Sequence, residues 1–125
     1  MKNIKWPILL LVAFCLFVLY KVFKKENSIL KNMGIVIGCC DKYDGGGLRS
    51  SPSYIFSFYY GGHNYKSSHG KGGGEGHSLF MNSCFPIAIN KENPEENAVL
   101  IFPSDFERYN LNFPDSLNWV LKYQP

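Results

Sequence analysis

Charge is scarce in this chain: Asp, Glu, Lys and Arg together make up 18% of its 125 residues, against about 25% in ordinary soluble proteins. The shortage is local, because residues 8 to 20 carry no charge and nothing more polar than a thiol or a phenol. Length is limited too, which excludes a two-domain enzyme and leaves room for one small domain beside one membrane helix. The spaced signatures of common chemistry are missing: no Cys-x2-Cys pair, no His-x3-His, and no Gly-x4-Gly-Lys-Ser/Thr. A disordered chain is excluded from the other direction, since 46% of residues are hydrophobic and ten Phe and eight Tyr must bury their rings.

What is present begins with the apolar run. From Trp6 to Phe23 only Lys21 is charged, and at 1.5 Å per residue those residues make a helix of about 27 Å, close to the roughly 30 Å hydrocarbon core of a bilayer. Lys21 can snorkel toward the headgroups, Trp6 and Tyr20 stand where amphipathic rings favour the interface, and Pro7 falls in the first turn, where its missing N–H costs nothing. A cleaved signal peptide needs a small-x-small site after the apolar core, but here the core runs on through Tyr20, Lys21, Val22 and Phe23. A lipid-modified cysteine needs a small residue before it, and Phe14 precedes Cys15. A soluble core helix would show a polar face, which residues 8 to 20 lack.

Charge then divides the chain. Residues 1 to 26 carry a net +4 and residues 27 to 125 a net −1, so the basic character belongs to the flanks of the apolar run, where lysine suits anionic headgroups, and nothing in the remainder calls for nucleic acid. The expected organisation is a membrane anchor at 1–26, a juxtamembrane linker at 27–33 and a β-rich domain at 34–125. Lysines at 2 and 5 balance those at 21, 24 and 25, which leaves orientation open; the short N-terminal tail favours a domain outside the cytoplasm.

In the domain, Gly34 to Cys40 is β-branched and short and reads as a strand, followed by a loop from Asp44 to Pro52. Residues 53 to 60 alternate, with Tyr54, Phe56, Phe58 and Tyr60 on one side. Gly61-Gly62 then forms a two-residue hairpin turn, which sets Tyr60 opposite His63, Tyr59 opposite Asn64 and Phe58 opposite Tyr65. The resulting aromatic face is either the core of a small β domain or a platform for a ligand, in which case Tyr59, Tyr60, His63 and Tyr65 are the binding candidates. Leu79 to Met81 and Phe85 to Ile89 read as short strands. A turn over Asn90 to Asn97 leads into a closing strand at Ala98 to Phe102. Ser104 and Glu107 have capping-box spacing for a helical turn at Asp105 to Tyr109, and Asp115 to Lys122 makes a second short helix with Leu117, Val120 and Leu121 inward. The fold class is therefore mainly β: an N-terminal transmembrane helix, then a small β-roll or barrel-like domain with one or two short C-terminal helices.

The aromatic hairpin with its Gly turn and Tyr65-Lys66-Ser67-Ser68, followed by Phe85-Pro86-Ile87-Ala88-Ile89 and Asn93-Pro94-Glu95-Glu96-Asn97-Ala98-Val99-Leu100, resembles uncharacterised small β domains that are membrane-anchored in bacteria. The resemblance spans residues 34 to 102. It implies a fold and a location and carries over no catalytic residues.

The candidate chemistry is sparse. The run Gly70 to Gly76 lacks the hydroxyl and the helix of a phosphate-binding loop and reads as a flexible connection. His63, His69 and His77, with cysteines elsewhere, are the residues that could hold zinc or copper, although their spacing matches no common ligand motif. A nucleophile built on Cys84 with His63 or His77 would lack an orienting third group, so no enzyme activity and no cofactor are expected. In a strand, Cys39 and Cys40 point to opposite faces, so Cys84 can pair with only one of them; three reduced, mostly buried thiols are expected, with a Cys40–Cys84 bridge as the alternative. The functional expectation is a membrane-anchored binding or assembly module whose partners are the bilayer and a protein, with a His- and Cys-based metal-handling role as the alternative.

Overall fold

The computed structural model describes residues 5–46, 52–70 and 76–124. Helix α1 (Trp6–Lys31) is followed by β1 (Met33–Asp44), β2 (Ser53–Tyr60), β3 (His63–His69), α2 (His77–Met81), β4 (Cys84–Asn90), β5 (Asn93–Val99), α3 (Pro103–Glu107) and a 3-10 helix (Asp115–Tyr123). The five strands form one antiparallel sheet in the order β3-β2-β1-β4-β5. The sheet curls until its outer strands approach, and the buried Asn97 on β5 donates from Nδ2 to the Lys66 carbonyl on β3 at 3.4 Å. The result is a nearly closed, barrel-like roll with an apolar helix in front.

The hairpin forms as the sequence dictates. Gly61 and Gly62 take φ of 61° and 81°, the left-handed pair that a two-residue turn requires, and Tyr60, Tyr59 and Phe58 pair with His63, Asn64 and Tyr65. Tyr54, Phe56 and Phe58 are buried. They meet Phe85, Ile87 and Ile89 of β4, together with Phe80, Phe102, Phe106 and Val120 from the helices, in one continuous core. Phe56 meets Phe85 edge-on, and Phe80 stacks on Phe85.

Four expected elements differ, each for a local reason. Strand β1 continues past Cys40 because an irregularity between Cys40 and Lys42 admits one extra residue; Cys40 is paired with Phe56 and Tyr43 with Tyr54, so both face the core although they are three apart. Leu79 to Met81 is helical rather than extended. Phe80 fills the core, and the side chains of Asn82 and Ser83 donate to the carbonyls of Ser78 and Leu79 at the end of the turn. The turn after β4 is only Lys91-Glu92, because Asn90 Oδ1 accepts from the Glu92 and Asn93 N–H groups; β5 therefore starts at Asn93, stops at Val99, and tolerates Pro94 on an edge. Asp105, not Ser104 and Glu107, caps α3, accepting on Oδ2 from Ile101 N–H at 3.1 Å and Phe102 N–H at 3.0 Å.

The last helix is 3-10, with three residues per turn. Leu117, Val120 and Tyr123 consequently share its inner side, while Leu121, expected inward, is exposed.

Residues 27–33 join the apolar run to the sheet mostly as continued helix. α1 runs on to Lys31, Ile29 has no exposed surface, and Met33 already belongs to β1. Asn90 Nδ2 donates to Ser28 Oγ at 2.7 Å, and the Lys91 N–H donates to the Asn32 carbonyl at 2.9 Å. Within α1, an 18-residue window has a mean hydropathy of 2.3 and none of it is buried, so the helix is long and apolar enough to cross a membrane. Truncating a side chain buried like Ile29 typically costs about 2–5 kcal/mol. Ile29→Ala is expected to lower the denaturation midpoint of the full chain in detergent accordingly, whereas truncation in a passive linker would leave it unmoved.

Cys39 and Cys84 form a disulfide, which corrects both the expectation of three reduced thiols and the alternative Cys40–Cys84 pairing. Cys39 and Cys84 are direct cross-strand partners on the outer face of β1 and β4, while Cys40 points inward, its Sγ 3.8 Å from Met81 Sδ, and is pushed up in pKa by burial and by Asp41. Alkylation under denaturing, non-reducing conditions should label two thiols, Cys15 and Cys40, and full reduction four. Breaking the bridge is expected to cost the fold about 2–4 kcal/mol.

Candidate functional site

The candidate site is built where α1 meets the open seam of the barrel. Val22, Lys25 and Glu26 of α1, residues 66–70 of β3 and its end, residues 97–99 of β5, and Asp105, Arg108 and Tyr109 around α3 enclose a cleft of 580 Å³. Its walls follow from the fold. β3 and β5 are the outer strands of the sheet, so their approach leaves a groove, and the helical end that seats Ile29 runs along it.

At the inner end of the cleft His69 Nε2 donates to Asp105 Oδ2 at 2.9 Å, both side chains being largely buried. That one carboxylate oxygen serves three donors: His69 and the backbone N–H groups of Ile101 and Phe102. Burial opposes its charge, but the imidazole and the two amides outweigh that cost and hold the Asp105 pKa below the ordinary carboxylate value. His69 Nδ1 is buried and has no hydrogen-bond partner among the described residues. The His69–Asp105 pair thus works as a clasp between β3 and α3.

Nearer the mouth, Arg108 Nε lies 3.5 Å from Glu26 Oε1, joining α3 to α1. The half-exposed geometry of this pair limits it to about 1 kcal/mol or less. Burial, followed by the charge of Glu26, pushes the Tyr109 phenol up in pKa. Lys66 turns its ammonium away, onto Asp41 and Ser57 across the outer face, and lowers the Asp41 pKa by that contact. Among the described residues, Lys25 and Arg108 are the cations that the cleft presents, against Glu26 and Asp105.

The histidines expected to gather round a metal are dispersed. His69 is bound to Asp105; His77, at the start of α2, shares a 2.8 Å hydrogen bond with the Tyr54 hydroxyl and stands edge-on to Tyr43; His63 is exposed beside the hairpin turn. Among the described residues no group of three or more His, Cys, Asp or Glu side chains is arranged to hold a metal ion. Of the four binding candidates, Tyr60, His63 and Tyr65 share one face of the hairpin, with the His63 ring edge-on to Tyr65. Tyr65 stacks on Phe58, and Tyr60 is half-buried against the core, whereas Tyr59 points to the opposite face and is 74% exposed. Residues 71–75 of the glycine-rich run lie outside the described residues.

Sequence reasoning reached His69 and missed Asp105, Arg108 and Glu26. The signal available was Pro103 with Asp105 two places on: proline in the first helical turn followed by a carboxylate that can face the free N–H groups. Compared with protein-family models, with curated proteins and with solved structures, the chain has no match, and the reading of the site rests on its own geometry.

Because the folded pKa of Asp105 is depressed, its contribution to stability is complete above the ordinary carboxylate pKa and is lost as pH falls through the lower, folded value. Asp105→Asn should remove that part of the acid limb of a melting-temperature profile and cost about 1–3 kcal/mol at neutral pH, the usual penalty for leaving buried donors poorly matched. An unchanged acid limb would show that the carboxylate does not carry the clasp.

Proposed function

We propose that this is a single-pass membrane protein in which α1 crosses the bilayer and holds the barrel against the membrane surface, outside the cytoplasm, as a binding or assembly module. The observation that carries the reading is the junction. The apolar stretch of α1 has no buried residue, while its last turns are part of the domain core through Ile29 and are tied at Glu26, Ser28 and Asn32. An apolar helix with no protein surface to cover it needs another apolar phase, and lipid supplies one. A helix whose C-terminal end is a core element of the domain also supports retention rather than removal.

The Cys39–Cys84 bridge supports the side of the membrane, since such bonds persist in oxidising compartments. The cleft supports a role in binding. It has mixed charge, lies beside Val22 and Lys25 where the apolar run ends, and would keep a polar ligand or a segment of a protein partner within reach of the headgroups.

Two measurements test this. After alkaline carbonate extraction of membranes the full chain should stay in the pellet; release to the supernatant would defeat the anchor. In sealed vesicles whose outer surface corresponds to the non-cytoplasmic side, added protease should digest the barrel and leave a fragment of α1. Protection of the barrel until detergent is added would place it in the cytoplasm.

A further inference from the structure

Where the barrel stands along α1 determines which of its surfaces can reach lipid. The contacts fix this, because β5 and α1 lie side by side and run in opposite directions. The Lys91 N–H meets the Asn32 carbonyl, Asn90 meets Ser28, Glu95 and Glu96 share a surface hollow with Lys21, Lys24 and Lys25, and residues 97–99 border the cleft with Val22. Travelling along β5 is thus travelling back down α1 toward its apolar stretch. Val99 is paired with Ile87 on β4, and Cys84 lies three residues further in the same direction, about 10 Å at the usual strand rise. The end of β4 therefore extends past the level of Val22.

The elements at that end form the underside of the barrel. α2 leads directly into β4, and Trp119 of the 3-10 helix packs on Phe80 and Phe85 with ring centroids 5.1 and 6.0 Å away. Leu79, Ser83, Trp119 and Lys122 surround a hollow of 300 Å³. Leu79 is 48% exposed, Leu121 on the same 3-10 helix is exposed as well, and Trp119 is only half-buried. A leucine, an indole held with one edge outward and a lysine on a long stem are what the boundary between headgroups and acyl chains favours.

We infer that this underside, centred on Leu79, Trp119 and Lys122, is a second membrane contact that dips into the bilayer interface beside α1. The inference rests on the proposed anchoring by α1 and adds that the barrel is seated on the lipid rather than held clear of it. The occupant is the bilayer, because the patch continues along the direction in which α1 is apolar. Its small area suits lipid held near by a tether; it does not have to supply the affinity alone.

Tryptophan fluorescence distinguishes the alternatives, because the chain has only Trp6 and Trp119. In the full chain carrying Trp6→Phe, reconstituted in phosphatidylcholine vesicles, Trp119 should be quenched by lipids brominated high on the acyl chains and shielded from aqueous iodide. Leu79→Asp in that background should reverse both effects without changing the melting temperature. Trp119 that iodide quenches and bromolipid does not, while Trp6 in a chain carrying Trp119→Phe remains quenched by bromolipid, would overturn this inference and leave the anchor standing. If Trp6 also escapes bromolipid, the anchor fails and the second contact fails with it.

Discussion

The burial of Ile29 is the constraint on which the rest of the structure depends. Its side chain comes from the end of a long apolar helix, yet it lies among the rings and branched chains of the barrel with no surface exposed. The same stretch of helix is tied at two further points: Ser28, next in sequence, accepts from Asn90, and Glu26, one turn back on the face of Ile29, lies beside Arg108. The direction of α1 relative to the sheet is therefore set by packing. From that direction follow the cleft beside the β3–β5 seam and the surface that the barrel turns toward the apolar part of α1.

The seam is the other half of the arrangement. A five-stranded sheet curling on itself leaves its outer strands short of a full ladder, and unpaired strand edges invite unwanted pairing. Here the gap is bridged by side chains: Asn97 reaches the Lys66 carbonyl, and His69 reaches Asp105. The same polar groups that close the roll line the groove, which is why the candidate site and the closure of the fold involve the same residues.

Much of this was legible in the sequence where one local signal sufficed. Alternation in residues 53 to 60 and the Gly-Gly turn gave the hairpin register and its buried face, and the length and apolarity of residues 6 to 23 gave α1. The expected mainly-β fold with short C-terminal helices has that architecture. Legibility ended where a distant partner decides. Leu79-Phe80-Met81 is too short to show a period, and only the core position of Phe80 and the capping by Asn82 and Ser83 make it helical. Alternation separated Cys39 from Cys40 but could not say which faces Cys84, because that depends on the pairing of β1 with β4. The clasp was less visible still: His69 and Asp105 are 36 residues apart, and neither belongs to a motif.

The Cys39–Cys84 bond also encloses β2, β3 and α2 in one covalent ring. A single backbone cut anywhere from residue 40 to residue 83 would therefore open the ring without parting the molecule. The piece bearing α1 and the piece bearing the C-terminal helices would remain shackled until a reductant released them, so damage to those loops would not by itself shed any of the barrel.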